Sequence, residues 1–281
     1  MQVTLNPNHG APSPNSESGG ALGGGSPSPA PSPAPAFGMA APGGATGAPV
    51  RPAADHLVPL AGLFADANLQ ICVNQAGFNY AHEVTSLMCG SKRIASLEGI
   101  EHLTNITWLW LGDNLIEDLS PLSRLAALMG LDLWGNRIAD IAPLAGLTGL
   151  VRLDLWNNRI TDIASLSNLT SLQWLWLGKN RVADVAPLSR LTALRELYLG
   201  GYGDGGAICD VAPLSSLANL TRLDLWGNRI ENAAPLARLA KLEWLDVRGN
   251  RIADVTPLAG LAKLTTLLLY ESPDKDAAPQ D

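Results

Sequence analysis

The chain has 281 residues and a formal charge of −7, with 47% hydrophobic but only 16% charged residues. Its 19 Lys and Arg against 26 Asp and Glu leave no cationic surplus for a phosphate backbone, so nucleic acid is not an expected partner. No apolar run reaches the roughly 18 residues that span a bilayer, and the N-terminus lacks the charged start and apolar stretch of a secretory signal.

Residues 1–55 hold 11 Pro, 10 Gly, 11 Ala and 6 Ser, with only Glu17, Arg51 and Asp55 charged. A segment of that makeup cannot bury a core, and a disordered arm is expected. Residues 56–80 read as an N-terminal cap. Asp66 is placed to start a helix of about ten residues, Leu69, Cys72 and Val73 share one face of it, and Gly77 stops it.

Residues 81–270 are organised by a 22-residue period. Leu103, Leu125, Leu147, Leu169 and Leu191 mark it; Leu217 follows after 26 residues, and Leu239 and Leu261 resume it. Ala81–His102 is a degenerate earlier copy. In the copy LAALMGLDLWGNRIADIAPLAG, the L-x-L segment (Leu131 and Leu133) alternates like a half-buried strand, and equally spaced strands stack in parallel. Asn114, Asn136, Asn158, Asn180, Asn228 and Asn250 fall where the chain turns inward, so their amides are expected to satisfy buried backbone groups. Asp118, Asp140, Asp162, Asp184, Asp210 and Asp254 precede the turn toward x-P-L and read as caps. Leu264, Leu267 and Leu269 make a last strand. A polar tail over 271–281 follows, whose charges and Pro273 suit an exposed sheet edge.

These motifs resemble the leucine-rich repeat family, and the 22-residue form with D-I-x-P-L is most similar to bacterial internalins over roughly residues 64–270. Ser96–Asn105 (SLEGIEHLTN) is similar to the junction between an internalin-type cap and its first full repeat. The resemblance implies a curved repeat solenoid: a parallel β-sheet on the concave face, short 3-10 or irregular convex turns and an N-terminal helical cap. It also implies protein recognition through that sheet, by a secreted or cell-surface protein.

Positions six, eight and ten of each copy project from the open face of such a sheet. All eight tryptophans fall there: Trp108, Trp174 and Trp244 at six, Trp110 and Trp176 at eight, Trp134, Trp156 and Trp226 at ten, joined by Tyr198 and Tyr270. Rings on adjacent strands can brace a sheet by stacking. Eight half-exposed indoles also make a larger apolar patch than a monomer ordinarily shows, and Trp is enriched at binding hot spots. A macromolecular binding surface is therefore expected, protein first and glycan second, since indole faces also stack on sugars. Asp132, Asp154, Asp224 and Asp246 at position eight, with Arg152, Arg222 and Arg248, read either as a solvated face of mixed charge or as groups that orient a charged partner. A calcium site would need an oxygen-rich loop that does not accompany these acids.

Arg93, Arg137, Arg159, Arg181, Arg229 and Arg251 form a stripe at position thirteen, solvated or paired with the turn aspartates. The nominal G-x-G-x-x-G at Gly201–Gly206 has no following helix to hold a pyrophosphate and reads as a bulge at the rim. Cys72 and Cys89 could meet in a disulfide or pack reduced in the core, and Cys209 is an unpaired thiol. His9 lies in the arm, and His56, His82 and His102 near the cap have no spaced nucleophile or second ligand, so neither catalysis nor a cofactor is expected. Two alternative functions stand beside protein recognition: carbohydrate binding, and regulation of a phosphatase by resemblance to the leucine-rich nuclear regulator of protein phosphatase 1.

Overall fold

The computed structural model describes residues 2–3, 57–201 and 206–269. The rest of the expected arm, the tail over 271–281, Tyr270, His9 and His56 lie outside the described residues.

Each repeat builds one short strand around a central core residue. These are β2 (Ser86–Met88), β3 (Trp108–Trp110), β4 (Gly130–Asp132), β5 (Arg152–Asp154), β6 (Trp174–Trp176), β7 (Glu196–Tyr198), β8 (Arg222–Asp224), β9 (Trp244–Asp246) and β10 (Thr266–Leu268). They pair in parallel and in strict register, so that Leu109, Leu131, Leu153, Leu175, Leu197, Leu223, Leu245 and Leu267 form one line. One further strand comes from the segment expected to be disordered. β1 (Gln2–Val3) runs parallel to β10 with Val3 opposite Leu267, giving the order β1-β10-β9-β8-β7-β6-β5-β4-β3-β2. The C-terminal edge, expected to rely on Pro273 and the tail charges, is paired with backbone over these two residues.

The chain returns on the convex side through 3-10 turns such as Ser120–Arg124, Ala142–Leu144 and Ala186–Arg190. Each turn aspartate, from Asp118 to Asp254, accepts the backbone N–H two residues on at 2.8 Å. Asn232 takes that role at 2.9 Å in the copy that has no acid at this turn position. Between strands and turns, leucines such as Leu144, Leu153, Leu166 and Leu175 are fully buried. Each stabilises the fold by about 1.5–3 kcal/mol relative to exposure.

The asparagines tie each copy to its neighbour. Asn158 Oδ1 accepts the Ile138 N–H at 3.0 Å, and its Nδ2 donates to the carbonyls of Leu133 and Leu155 at 3.0 Å. Asn114, Asn136, Asn180, Asn228 and Asn250 repeat the pattern. A buried turn carbonyl deprived of such a donor costs about 1–3 kcal/mol, which explains why this position tolerates so little variation between copies. The long copy breaks the ladder at the glycine bulge. At Gly201 and Gly206 a Cβ would collide with the backbone around Gly227, so these two glycines pack directly against the next repeat.

The cap is built around α1 (Ala67–Gln75), with Leu69, Cys72 and Val73 buried and Gly77 at φ 81° beyond its end. Asp66 Oδ1 accepts from the N–H groups of Asn68 (2.8 Å) and Leu69 (3.1 Å). Its Oδ2 accepts from Ala95 (2.8 Å) and Ser96 (3.2 Å) in the first repeat, so one carboxylate starts the helix and docks it. Partial burial pushes this carboxyl up, but the four N–H groups outweigh it and hold Asp66 below the ordinary carboxylate range. A disulfide joins Cys72 of α1 to Cys89, just after β2. Cys209 is a free, exposed thiol.

Candidate binding face

Because side chains alternate along a strand, the residues flanking each core leucine emerge on the open side of the sheet. Positions eight and ten are filled by compensation. In four copies position eight is large and position ten is glycine: Met88 with Gly90, Trp110 with Gly112, Trp176 with Gly178, Tyr198 with Gly200; the last copy departs, with Leu268 at eight and Tyr270 at ten. Where position eight is aspartate, position ten is large: Asp132 with Trp134, Asp154 with Trp156, Asp224 with Trp226, Asp246 with Arg248. The rings lie down into the gaps this leaves. Trp134 covers Gly112 of the preceding repeat, Trp156 covers Gly178 of the following one and Trp108 covers Gly130, leaving no room for a Cβ at any of the three.

The indoles are therefore less exposed than side chains standing upright from a sheet. Trp134 leaves 36% of its surface open, whereas Trp108, Trp110, Trp156, Trp174, Trp226 and Trp244 are half-buried. Trp176 departs furthest from the expectation of an open anchor, at 8% exposed. It is stacked on Tyr198 (centroids 5.7 Å apart, planes at 9°) and roofed by the Arg152 guanidinium at 4.3 Å. Trp108 and Trp110 stack along one strand at 5.9 Å, and Arg222 sits over the Trp244 ring at 5.7 Å. Mutual bracing of the rings is thus present in this layer, with Trp134 its most exposed indole. Met88 at 74% exposure extends that layer beside Trp110; its position eight was the sequence signal, overlooked because methionine is not aromatic.

The aspartates correct the sequence reading. Asp154, Asp224 and Asp246 are only 3%, 3% and 2% exposed, so they neither form a solvated face nor reach a partner's cations. Each instead caps its own strand. Oδ1 accepts the N–H two residues on: from Trp134 to Asp132 at 3.3 Å, Trp156 to Asp154 at 2.9 Å, Trp226 to Asp224 at 2.9 Å and Arg248 to Asp246 at 3.0 Å. The same two-residue spacing as in the turn aspartates was the available signal. Burial raises Asp132, against the Trp134 N–H and Arg152. Burial and then the Asp132 charge push Asp154 up to about 7. Arg248 closes on Asp246 through Nε at 3.0 and 3.1 Å and Nη2 at 2.5 Å, a bidentate pair. Tyr198 donates to Glu196 Oε2 at 3.0 Å; burial, with the Glu196 charge beside it, raises this phenol.

The arginines of the position-thirteen stripe are all exposed, in line with the solvated alternative. The turn aspartates are occupied by backbone, and Arg137 and Arg251 reach Glu117 (3.8 Å) and Glu231 (4.0 Å), the acids at position fifteen of the preceding copies. His82 and His102 come together along a shallow cleft with Val58, Glu101, Thr104 and Arg124, on the cap and first turns rather than on the sheet. No described helix is long and apolar enough to cross a membrane.

The model of Leucine Rich repeats (2 copies) matches residues 130–168. Among solved structures, internalin C2 of Listeria monocytogenes is similar with 33% identity and a TM-score of 0.72, over 76% of this chain and 97% of that one. The chain belongs to the internalin-type leucine-rich repeat family. A second internalin of Listeria monocytogenes, InlF, is similar at 31% identity and a TM-score of 0.63, over 78% of this chain and 74% of that one. A Leptospira interrogans leucine-rich repeat protein, at 24% identity and a TM-score of 0.60 over 66% of this chain and 49% of that one, shares the fold. Among curated proteins, none matches this sequence significantly. Within this internalin-type frame the tiled indole layer occupies the concave sheet.

Proposed function

We propose that the concave face is a non-catalytic binding surface for another protein. The observation that supports this reading is the collection of all eight tryptophans on the three open-face positions of the repeat. Trp134 and the half-buried Trp108, Trp110, Trp156, Trp174, Trp226 and Trp244 are the anchors, with Arg152 and Arg222 held over rings as fixed donors. Flat rings already ordered by neighbours lose little freedom on binding, which favours affinity. Asp154, Asp224 and Asp246 serve the rings and strand ends rather than the partner. Their burial also disfavours the carbohydrate reading, because they cannot accept from sugar hydroxyls. Internalin relatives favour bacterial protein recognition over phosphatase regulation.

The test is capture of a protein partner by the immobilised chain, compared with a variant carrying Trp134→Ala, Trp156→Ala and Trp226→Ala. Loss of capture with retained cooperative unfolding supports the reading. Undiminished capture by the variant, or selective capture of glycans on an array instead, contradicts it.

A further inference from the structure

Asp132 and Asp154 are opposed in register on neighbouring parallel strands, about 4.8 Å apart, where like charges repel. We propose, resting on the binding-face reading above, that these two carboxyls hold one proton between them. Its loss drives Asp132 outward and unseats Trp134, so that pH regulates the face.

Among the described residues, Arg152 is the cation that acts on both members of the pair. At position eight it is flanked by rings, Trp110 on β3 and Trp176 on β6. At position six β3 and β6 bring Trp108 and Trp174, β4 brings Gly130, and β5 brings Arg152. Beyond the strand ends stand Asp113, which accepts from the Ser91 hydroxyl, and Lys179. Arg152 acts on both carboxyls, yet its guanidinium lies over Trp176 at 4.3 Å. One cation offsets one charge, and a proton offsets the other.

The two members are unequal. Asp154 is shut in and holds the Trp156 N–H at 2.9 Å, whereas Asp132 is half-buried and its bond from Trp134 is the longest of the four at 3.3 Å. When both ionise, the carboxylate nearer water and more loosely bonded is the one that moves. Its departure frees the backbone N–H of Trp134, the residue that carries the most exposed indole on the sheet. Asp154, pushed up to about 7 by burial and by Asp132, puts this event in the neutral range.

The experiment follows the indole Nε1–H resonances of the whole chain by NMR across the neutral range, with carboxyl carbon-13 shifts of aspartate recorded in parallel. Trp134 and Asp154 are expected to titrate together with a midpoint near 7. Asp154→Asn, which keeps an acceptor for the Trp156 N–H, is expected to abolish the transition, and so is Asp132→Asn. Asp246→Asn should leave it intact. Capture of the partner is expected to weaken about tenfold above the midpoint, as a partly lost anchor would cause. Indole resonances that stay fixed, or a transition that survives in both Asp132→Asn and Asp154→Asn, overturn the proposal. The titration needs no partner: failure to capture anything on either side of the midpoint would sink the binding reading and leave the proton-sharing pair standing.

Discussion

β4 and β5 carry Asp132 and Asp154 in register, and β8 and β9 carry Asp224 and Asp246 in the same way, each acid accepting the N–H two residues on. The two pairs differ in what stands at position ten. In the second, Arg248 folds back onto Asp246 and neutralises it within its own repeat. In the first, both tenth positions are tryptophan, and the cation that acts on the pair is Arg152, placed over Trp176. Identical backbone geometry therefore yields an ion-paired acid in one half and a proton-sharing pair in the other. The side chains at positions six and ten, facing the open side of the sheet, decide which.

The largest way to break this comparison is Arg248→Ala. It leaves Asp246 buried without its guanidinium, and chemical denaturation at neutral pH should show a loss of about 2–3 kcal/mol, below the cost for a fully buried pair because Arg248 is half-open to water. An unchanged denaturation midpoint would mean that the bidentate pair stabilises nothing.

Asp154→Asn is expected to act in the opposite direction. Because the folded-state value of Asp154 lies above its unfolded value of 3.8, its contribution is fully present below that value and is lost as pH rises through about 7. Above about pH 7 the asparagine variant should be more stable than the parent, and below 3.8 indistinguishable from it. Parallel denaturation series that keep the same pH slope in parent and variant would refute the burial of an ionising acid there.

A smaller effect sharpens the contrast by transplanting it. Trp156→Arg gives Asp154 the partner that Asp246 has, and should flatten the pH dependence while changing stability by about 1 kcal/mol or less. The smallest is Gly178→Ala. A methyl group under Trp156 lifts the ring, and a change of a few tenths to about 1 kcal/mol is expected together with raised acrylamide quenching of indole emission. Quenching identical to the parent would show that Trp156 does not rest on Gly178.

The repeat frame was legible because its parts recur at fixed spacing. The leucine line, the asparagines, the turn aspartates and Asp66 each state a local hydrogen-bond or burial requirement that sequence alone can carry. Asn232, standing in for an acid at the turn, obeys the same chemistry without matching the letter. The burial of Asp154, Asp224 and Asp246 was not legible from alternation, which says which face a side chain leaves from but not whether its neighbours lie down over it. The reciprocal choice of residues at positions eight and ten did contain that information, in glycine following a large side chain and a large side chain following an acid. β1 was hidden for another reason: two residues inside a Pro- and Gly-rich segment carry no period, and only their register against Leu267 shows them as strand.

In the proposed function a partner grips the indole layer rather than the acids beneath it. The most direct measurement compares partner capture, under mildly acidic conditions, by Trp134→Ala with Trp226→Ala and by Asp154→Asn with Asp224→Asn. The tryptophan variant should lose capture by about thirtyfold or more, and the asparagine variant should retain the parent's affinity. Capture lost in the asparagine variant and kept in the tryptophan variant, with both folded, would contradict it.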